Sequence, residues 1–368
     1  MRLFDPFLYE KVHELIIFAF TLFYCLILRR KQAINLITRR QTKPAIFIYA
    51  LLYIIVIGLR PISAPFGDTM VYAKGYSDFS AMSEMGSFRR DSLFYKFMWV
   101  CSHFISVHWF FVIIEVFYIL PIIISCKRLL KKNADIGLLF CFTAFSFFSY
   151  SVNGIRNGMA LSLVLLAITF IRGDNLEKII CGILSLLAIA IHTSAALPVV
   201  CMLAANFIKN PKVIFFFWGL SIIVSIVGGN AVANLFAGLG FDDRLSDYIH
   251  PEIEEDIYTV TGFRWDFLLY SAMPILLGWY LVFKKSVYNS TYLLLLGSYV
   301  LANAFWIMVI RAEFSNRFAY LSWFLYPIVL AYPLLKLKIW PKTQGRKTAV
   351  IMMAHLAFTL FMVFIIGS

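Results

Sequence analysis

Seven side chains stand out because their types do not suit their surroundings. Arg60, Arg156, Arg264, Arg311 and Arg317 lie at or near the ends of apolar runs, Asp68 is the last charge in the stretch GLRPISAPFGDT, and His192 sits alone in AIAIHTSAALP. An arginine at such a depth is costly unless it finds a partner. It cannot lose its proton, and its planar fork fits phosphate oxygens in pairs. Several together predict an anionic ligand, most simply a phosphate or a diphosphate. Snorkelling, or pairing with Asp266, Glu313 or Asp68, is the alternative for any one of them.

Asp68 is flanked by Gly67 and Thr69 on a loop where Pro61 and Pro65 stop the preceding helix and stiffen its exit. A carboxylate held there could accept a proton from a sugar hydroxyl. An Asx turn or a salt bridge to Arg60 would use it structurally instead. Residues 151–158, SVNGIRNG, place Asn153, Gly154, Asn157 and Gly158 around Arg156. Gly and Asn permit a helix break, so backbone N–H groups at a helix start could join Arg156 in holding an anion; a plain helical hairpin is the simpler reading. His192, with Thr193, Ser194 and Pro198 nearby, is either hydrogen-bonded within a bundle or part of a substrate site.

Other chemistries lack their residues. The chain has no P-loop, G-x-S-x-G or H-E-x-x-H, and its remaining His residues (13, 103, 108, 250, 355) have no metal-ligand spacing. The six Cys stand singly, mostly in apolar runs, which suits packing. No metal and no cofactor are expected.

The elements that must position these residues are membrane helices. With 61% hydrophobic residues, 14% charged residues and a mean hydropathy of +0.81, the chain is far from a soluble globular composition. The net charge of +13 is therefore read as loop charge and not as a nucleic-acid surface. Apolar runs near 14–28, 44–59, 107–126, 136–151, 157–171, 179–191, 194–208, 213–229, 265–283, 291–310, 317–335 and 349–366 give an all-α polytopic bundle of about twelve crossings, some short or broken. RRK after the first run argues for a retained span and against a cleaved signal.

Most of the 33 Lys and Arg sort into alternate loops, which marks those loops as cytoplasmic. Two longer loops, about 60–91 and 230–264, then face outward. The first carries Asp68, Asp78, Glu84 and Asp91, the second the acidic run PEIEEDIY. Residues 92–107 read as an amphipathic or re-entrant helix on the outer face. No repeat or low-complexity linker interrupts the chain, so residues 1–368 are taken as one membrane domain.

GLRP…FGDTMVY, SVNGIRNGMALSL, AIHTSAAL, GFRWDFLLY and RAEFSNRFAYLSW, in this order from about 55 to 325, resemble the EpsG family of Wzy-like bacterial polysaccharide polymerases. The resemblance implies a membrane glycosyltransferase of GT-C-like fold. Such an enzyme joins oligosaccharide repeat units on a polyprenyl diphosphate carrier at the outer face of the bacterial cytoplasmic membrane, making capsule, exopolysaccharide or O-antigen. Donor, acceptor and bilayer are its implied partners, with a flippase and a chain-length regulator of the same pathway beside them.

That chemistry suits the residues: a diphosphate leaving group needs positive charge, not an acid, so one carboxylate and several Arg could stand in for a glycosidase's two carboxylates. On this reading Asp68 or His192 is the base. Arg156, Arg311 and Arg317 hold the diphosphate, Arg60 and Arg264 orient it or the second carrier, and Gly67, Thr69, Asn153 and Asn157 support the loops. A flippase for the lipid-linked oligosaccharide, an O-antigen ligase and a membrane O-acyltransferase are the competing readings; a flippase would call for functional polar residues on both faces and inverted repeats.

Overall fold

The computed structural model describes residues 5–88, 90–228, 262–311 and 315–367. They are helical throughout: α1 Tyr9–Leu28, α2 Ala33–Ile37, α3 Ala45–Gly58, α4 Thr69–Ser80, α5 Ser92–Phe104, α6 Val107–Leu130, α7 Ala134–Phe142, α8 Ser146–Val152, α9 Ile155–Ala167, α10 Asn175–Ile191, α11 Ala196–Phe207, α12 Pro211–Gly228, α13 Trp265–Trp279, α14 Ser290–Met308, α15 Ser315–Trp323, α16 Tyr326–Lys336 and α17 Gln344–Phe361. No strand occurs among the described residues.

Each of the twelve apolar runs is helical over most of its described residues, the 136–151 run being split into α7 and α8, and the predicted amphipathic segment forms α5. Seven helical stretches are long and apolar enough to cross a membrane, and Ala45–Gly58, Ile155–Ala167 and Thr193–Phe207 are shorter apolar helices. The chain is thus a multi-pass helical membrane protein. Local chemistry sets the element ends. Asp174 caps α10 through the Glu177 N–H (2.8 Å), and Asn289 caps α14 through the Tyr292 N–H (3.0 Å).

The described residues form two compact units, Met1–Ala195 with Ala331–Ser368, and Ala196–Leu330. In the first, α9 packs between α6 and α10, α3 lies on α6, and α1 lies against α17. In the second, α14 is the shared neighbour of α11, α12 and α15.

One end of the first unit is tied by a buried carboxylate. Asp135, at the start of α7, accepts a two-pronged bond from Arg39 (both 2.7 Å), one from the Tyr24 hydroxyl (3.0 Å) and one from the Lys43 N–H (3.0 Å). A charge this deep is tolerable because its oxygens are fully occupied. Asn133 bonds the carbonyls of Leu36 and Leu335 (2.8 and 3.1 Å), so the loop after α1, the start of α7 and the C-terminal segment form one knot. All six Cys are free, and all but Cys25 are buried, as packing residues should be.

Candidate functional site

Three interruptions in the helices of the first unit are tied together, two of them at one carboxylate. The first is the exit from α3. Pro61 and Pro65 prevent a continuous helix, a short 3-10 turn spans Ala64–Phe66, and α4 starts after Asp68. Gly67 turns the chain at φ +55° and ψ −125°, a region that a side chain makes costly.

The second break separates α8 from α9. The N–H groups of Asn153 and Gly154 both reach the Ser149 carbonyl (2.9 Å each), which closes α8, and Arg156 falls in the first turn of α9. Gly158 permits α9 to pass close to α8: a Cβ there would lie 2.8 Å from the Tyr150 carbonyl oxygen. The third break ends α10 at His192, which adopts extended angles. Pro198 has no N–H for the Ser194 carbonyl, which weakens a continuous helix through this point.

Asp91, the residue before α5, joins the second and the third. Its Oδ2 accepts from Arg156 Nη1 (2.5 Å) and from His192 Nδ1 (3.1 Å), and its Oδ1 accepts from the Thr193 backbone N–H (2.8 Å) and the Thr193 hydroxyl (3.1 Å). Asp91 occupies the left-handed region, φ 49° and ψ 35°, and does not cap α5. The helix start gives up its usual cap so that the carboxylate can face the cluster. Arg156 Nε donates to the Tyr72 hydroxyl on α4 and Nη1 to the Tyr95 hydroxyl on α5, both 3.0 Å.

A guanidinium has five N–H donors. Three are used, and the two on Nη2 have no partner among the described residues; the same holds for Nε2 of His192. The Arg156 and His192 side chains are 13% and 11% exposed. The cluster therefore holds a fixed cation edge and a ring nitrogen ready for a ligand, oriented by a carboxylate that neutralises part of the charge.

Burial alone would raise the Asp91 carboxyl. The hydrogen bond and charge of His192, the Thr193 N–H and the Arg156 charge outweigh it and hold the group well below the usual carboxylate range. A carboxyl lowered by folding contributes stability above its unfolded value of about 4 and loses it as pH falls through the folded value. The gap in melting temperature between wild type and Asp91→Asn should thus persist from pH 8 to pH 5 and shrink below about pH 4. Scanning fluorimetry in detergent measures this, and a gap already closing between pH 8 and 5 would contradict the sign.

Asp68 stands beside this cluster. Its backbone N–H donates to Asn153 Oδ1 (3.2 Å), and its half-buried carboxylate lies one helical turn before Tyr72. Burial pushes the Tyr72 hydroxyl up, the Arg156 charge opposes this, and the Asp68 charge adds to the rise. Thr69 accepts from Arg60 through Nε and Nη2 (3.1 and 3.0 Å) and donates to the Val152 carbonyl (2.9 Å), which ties the first break to the second. Asn157 is buried, with an Oδ1 that finds no partner.

Arg60 itself is fully buried. Its Nη1 reaches the Ile57 carbonyl (2.8 Å) and Glu115 (3.4 Å), and the guanidinium lies 4.6 Å from the Phe111 ring centroid. This is the structural alternative for that arginine. Glu115, in the middle of an apolar run, is a partner that the sequence analysis did not identify.

The remaining arginines lie in the second unit. Arg264 grips Asp266 with Nε and Nη2 (2.9 and 2.6 Å) and stacks on Phe267. Arg311 lies 5.4 Å from the Phe263 ring centroid, with a buried Nε that has no partner among the described residues. Arg317 is half-buried in the first turn of α15. Glu313 and nearly all of the expected second loop, including PEIEEDIY, lie outside the described residues.

Sequence reasoning thus found Arg156 and His192, which the structure brings together, but missed Asp91, Tyr72 and Tyr95. The architecture is that of a polytopic helical membrane protein with a charged cluster at its helix breaks. Residues 43–367 match the EpsG family, and the chain belongs to it. Membership places the chain among polymerase-like membrane proteins of polysaccharide biosynthesis. No curated protein and no solved structure matches the chain.

Proposed function

We propose that this protein is a glycosyltransferase that polymerises polyprenyl-diphosphate-linked oligosaccharide repeat units into capsule, exopolysaccharide or O-antigen at the outer face of the bacterial cytoplasmic membrane. The observation that carries this reading is that Asp91 braces both Arg156 and His192, whose Nη2 and Nε2 have no partner among the described residues. A fixed guanidinium edge suits a diphosphate oxygen, and charge placed before the reaction needs no reorganisation as the leaving group develops its own. Arg60 and Arg264, each already engaged with a carboxylate, support the fold.

The test is polymerisation by purified protein in vesicles supplied with a defined polyprenyl-diphosphate oligosaccharide, read as glycan length. Arg156→Ala should lose long chains and leave single repeat units, and Arg156→Lys should not restore them, because an ammonium cannot hold Asp91 and both tyrosines while presenting a second edge. Unchanged lengths in both variants and in His192→Ala would remove the site. A variant that stops single units from crossing the bilayer, with elongation intact on units already across, would favour the flippase reading.

A further inference from the structure

We propose that Asp91 is a positioning residue that selects the tautomer of His192, so that His192 Nε2 takes the proton from the attacking sugar hydroxyl. This rests on the polymerase reading and assigns a base within it.

The argument starts from proton accounting. Asp91 receives donors on both oxygens: Arg156 Nη1 at 2.5 Å on Oδ2, and the Thr193 N–H and hydroxyl at 2.8 and 3.1 Å on Oδ1. A carboxyl group so surrounded is an acceptor only. The 3.1 Å contact between Oδ2 and His192 Nδ1 is therefore an N–H donated by the ring. When the ring is neutral its single proton resides on Nδ1, and Nε2 carries the lone pair. A carboxylate that orients a base in this way is the general pattern of a nucleophile, a base and a third orienting group.

The backbone reinforces the choice. His192 is held by its own N–H on the Ala188 carbonyl (2.9 Å), and the next N–H, that of Thr193, is bound to Asp91. The ring thus pivots between two fixed points. Asp91 in turn is held in a left-handed conformation that only the surrounding bonds make worthwhile. Asp68 stands at the start of α4 before Tyr72, where its charge acts on the Tyr72 hydroxyl.

In the step itself, the acceptor hydroxyl oxygen forms a bond to the anomeric carbon of the donor while the bond from that carbon to the diphosphate oxygen breaks. The electron pair leaves with the diphosphate, which the Nη2 edge of Arg156 receives, and the hydroxyl proton passes to His192 Nε2. Asp91 balances the resulting imidazolium and stays ionised.

Steady-state polymerisation in vesicles, with donor concentration varied, tests this. Asp91→Asn preserves the size of the side chain but not its charge, and should lower kcat by about 10²-fold or more with KM changed less than about threefold. His192→Gln should fall as far, and the double variant no further than the weaker single, because the two act as one unit. Additive losses, or a His192→Gln enzyme within about threefold of wild type, would overturn the assignment. Loss of turnover in Asp68→Asn with His192→Gln active would also overturn it while leaving the polymerase reading intact. Unchanged turnover in all of these variants, and in Arg156→Ala, would remove that reading as well. A second measurement does not depend on any Asp91 variant folding: nitrogen NMR of the wild-type protein with labelled histidine, the His192 signals identified by their loss in His192→Gln. A neutral ring protonated on Nδ1 is expected, and one protonated on Nε2 refutes the proposal.

Discussion

Arg60→Ala should cost about 3–5 kcal/mol of stability, the range for breaking a buried ion pair from one side. Arg60 and Glu115 are both completely enclosed, 3.4 Å apart. Removing the cation strands a carboxylate whose second oxygen, Oε2, has no hydrogen-bond partner among the described residues. The loss spreads further, because Arg60 also donates twice to Thr69 and once to the Ile57 carbonyl. It links the end of α3, the start of α4 and the middle of α6. The unfolding midpoint in detergent should fall by many degrees, and glycan synthesis should fall with the amount of folded protein and not in kcat. Replacing both partners by apolar residues of similar volume, Arg60→Met with Glu115→Leu, should recover most of the loss, since neither charge is then left alone. A single variant that melts within a degree of wild type, or a double variant as unstable as the single, would refute this account.

The same pair shows what a one-dimensional reading can and cannot supply. Arg60 was conspicuous because an arginine follows an apolar run, and its two alternatives, ligand or anchor, were both legible. What decided between them was Glu115, 55 residues away. Its own position inside VIIEVFYIL was a signal in the sequence, for a carboxylate within a membrane helix requires a partner. The apolar runs themselves were readable because bilayer thickness fixes helix length. The breaks were readable because Pro and the Asn-Gly pair act locally.

Asp91 was not readable, and the reason is physical. In the sequence it is one of four acidic residues in a polar loop, and immediately before a helix it looks like an ordinary cap. Its identity depends on contacts to residues 65, 101 and 102 positions away. Tyr72 and Tyr95 are hidden likewise among 19 tyrosines. Their hydroxyls matter only because α4 and α5 fold back against the start of α9. Local propensity can place each break in a helix, but only packing can bring two breaks to one carboxylate and brace the third against them.

That convergence makes Gly67→Ala the second large prediction. At φ +55° and ψ −125° the backbone is in territory that costs a residue with a Cβ about 1–3 kcal/mol. The added Cβ would also lie 2.6 Å from both Cγ and Oδ1 of Asn153. Asn153 cannot yield without releasing the Asp68 N–H that it holds at 3.2 Å, and it lies three residues before Arg156. The strain is therefore delivered to both sides of the cluster: to α4, which carries Tyr72, and to α9, which carries Arg156. Gly67→Ala should lower the melting temperature and reduce glycan elongation at least about tenfold, since small displacements in a positioned site are costly in rate. Adding Asn153→Ala should relieve the clash but not the backbone strain, so melting temperature should recover in part while elongation stays low, the Asp68 tether being gone. Gly86→Ala, where a Cβ meets nothing within 4 Å, is the control and should behave as wild type. If Gly67→Ala matched that control in both measurements, the first break would not be braced against the second, and the coupling of Asp68 and Thr69 to the Arg156 cluster would have to be abandoned.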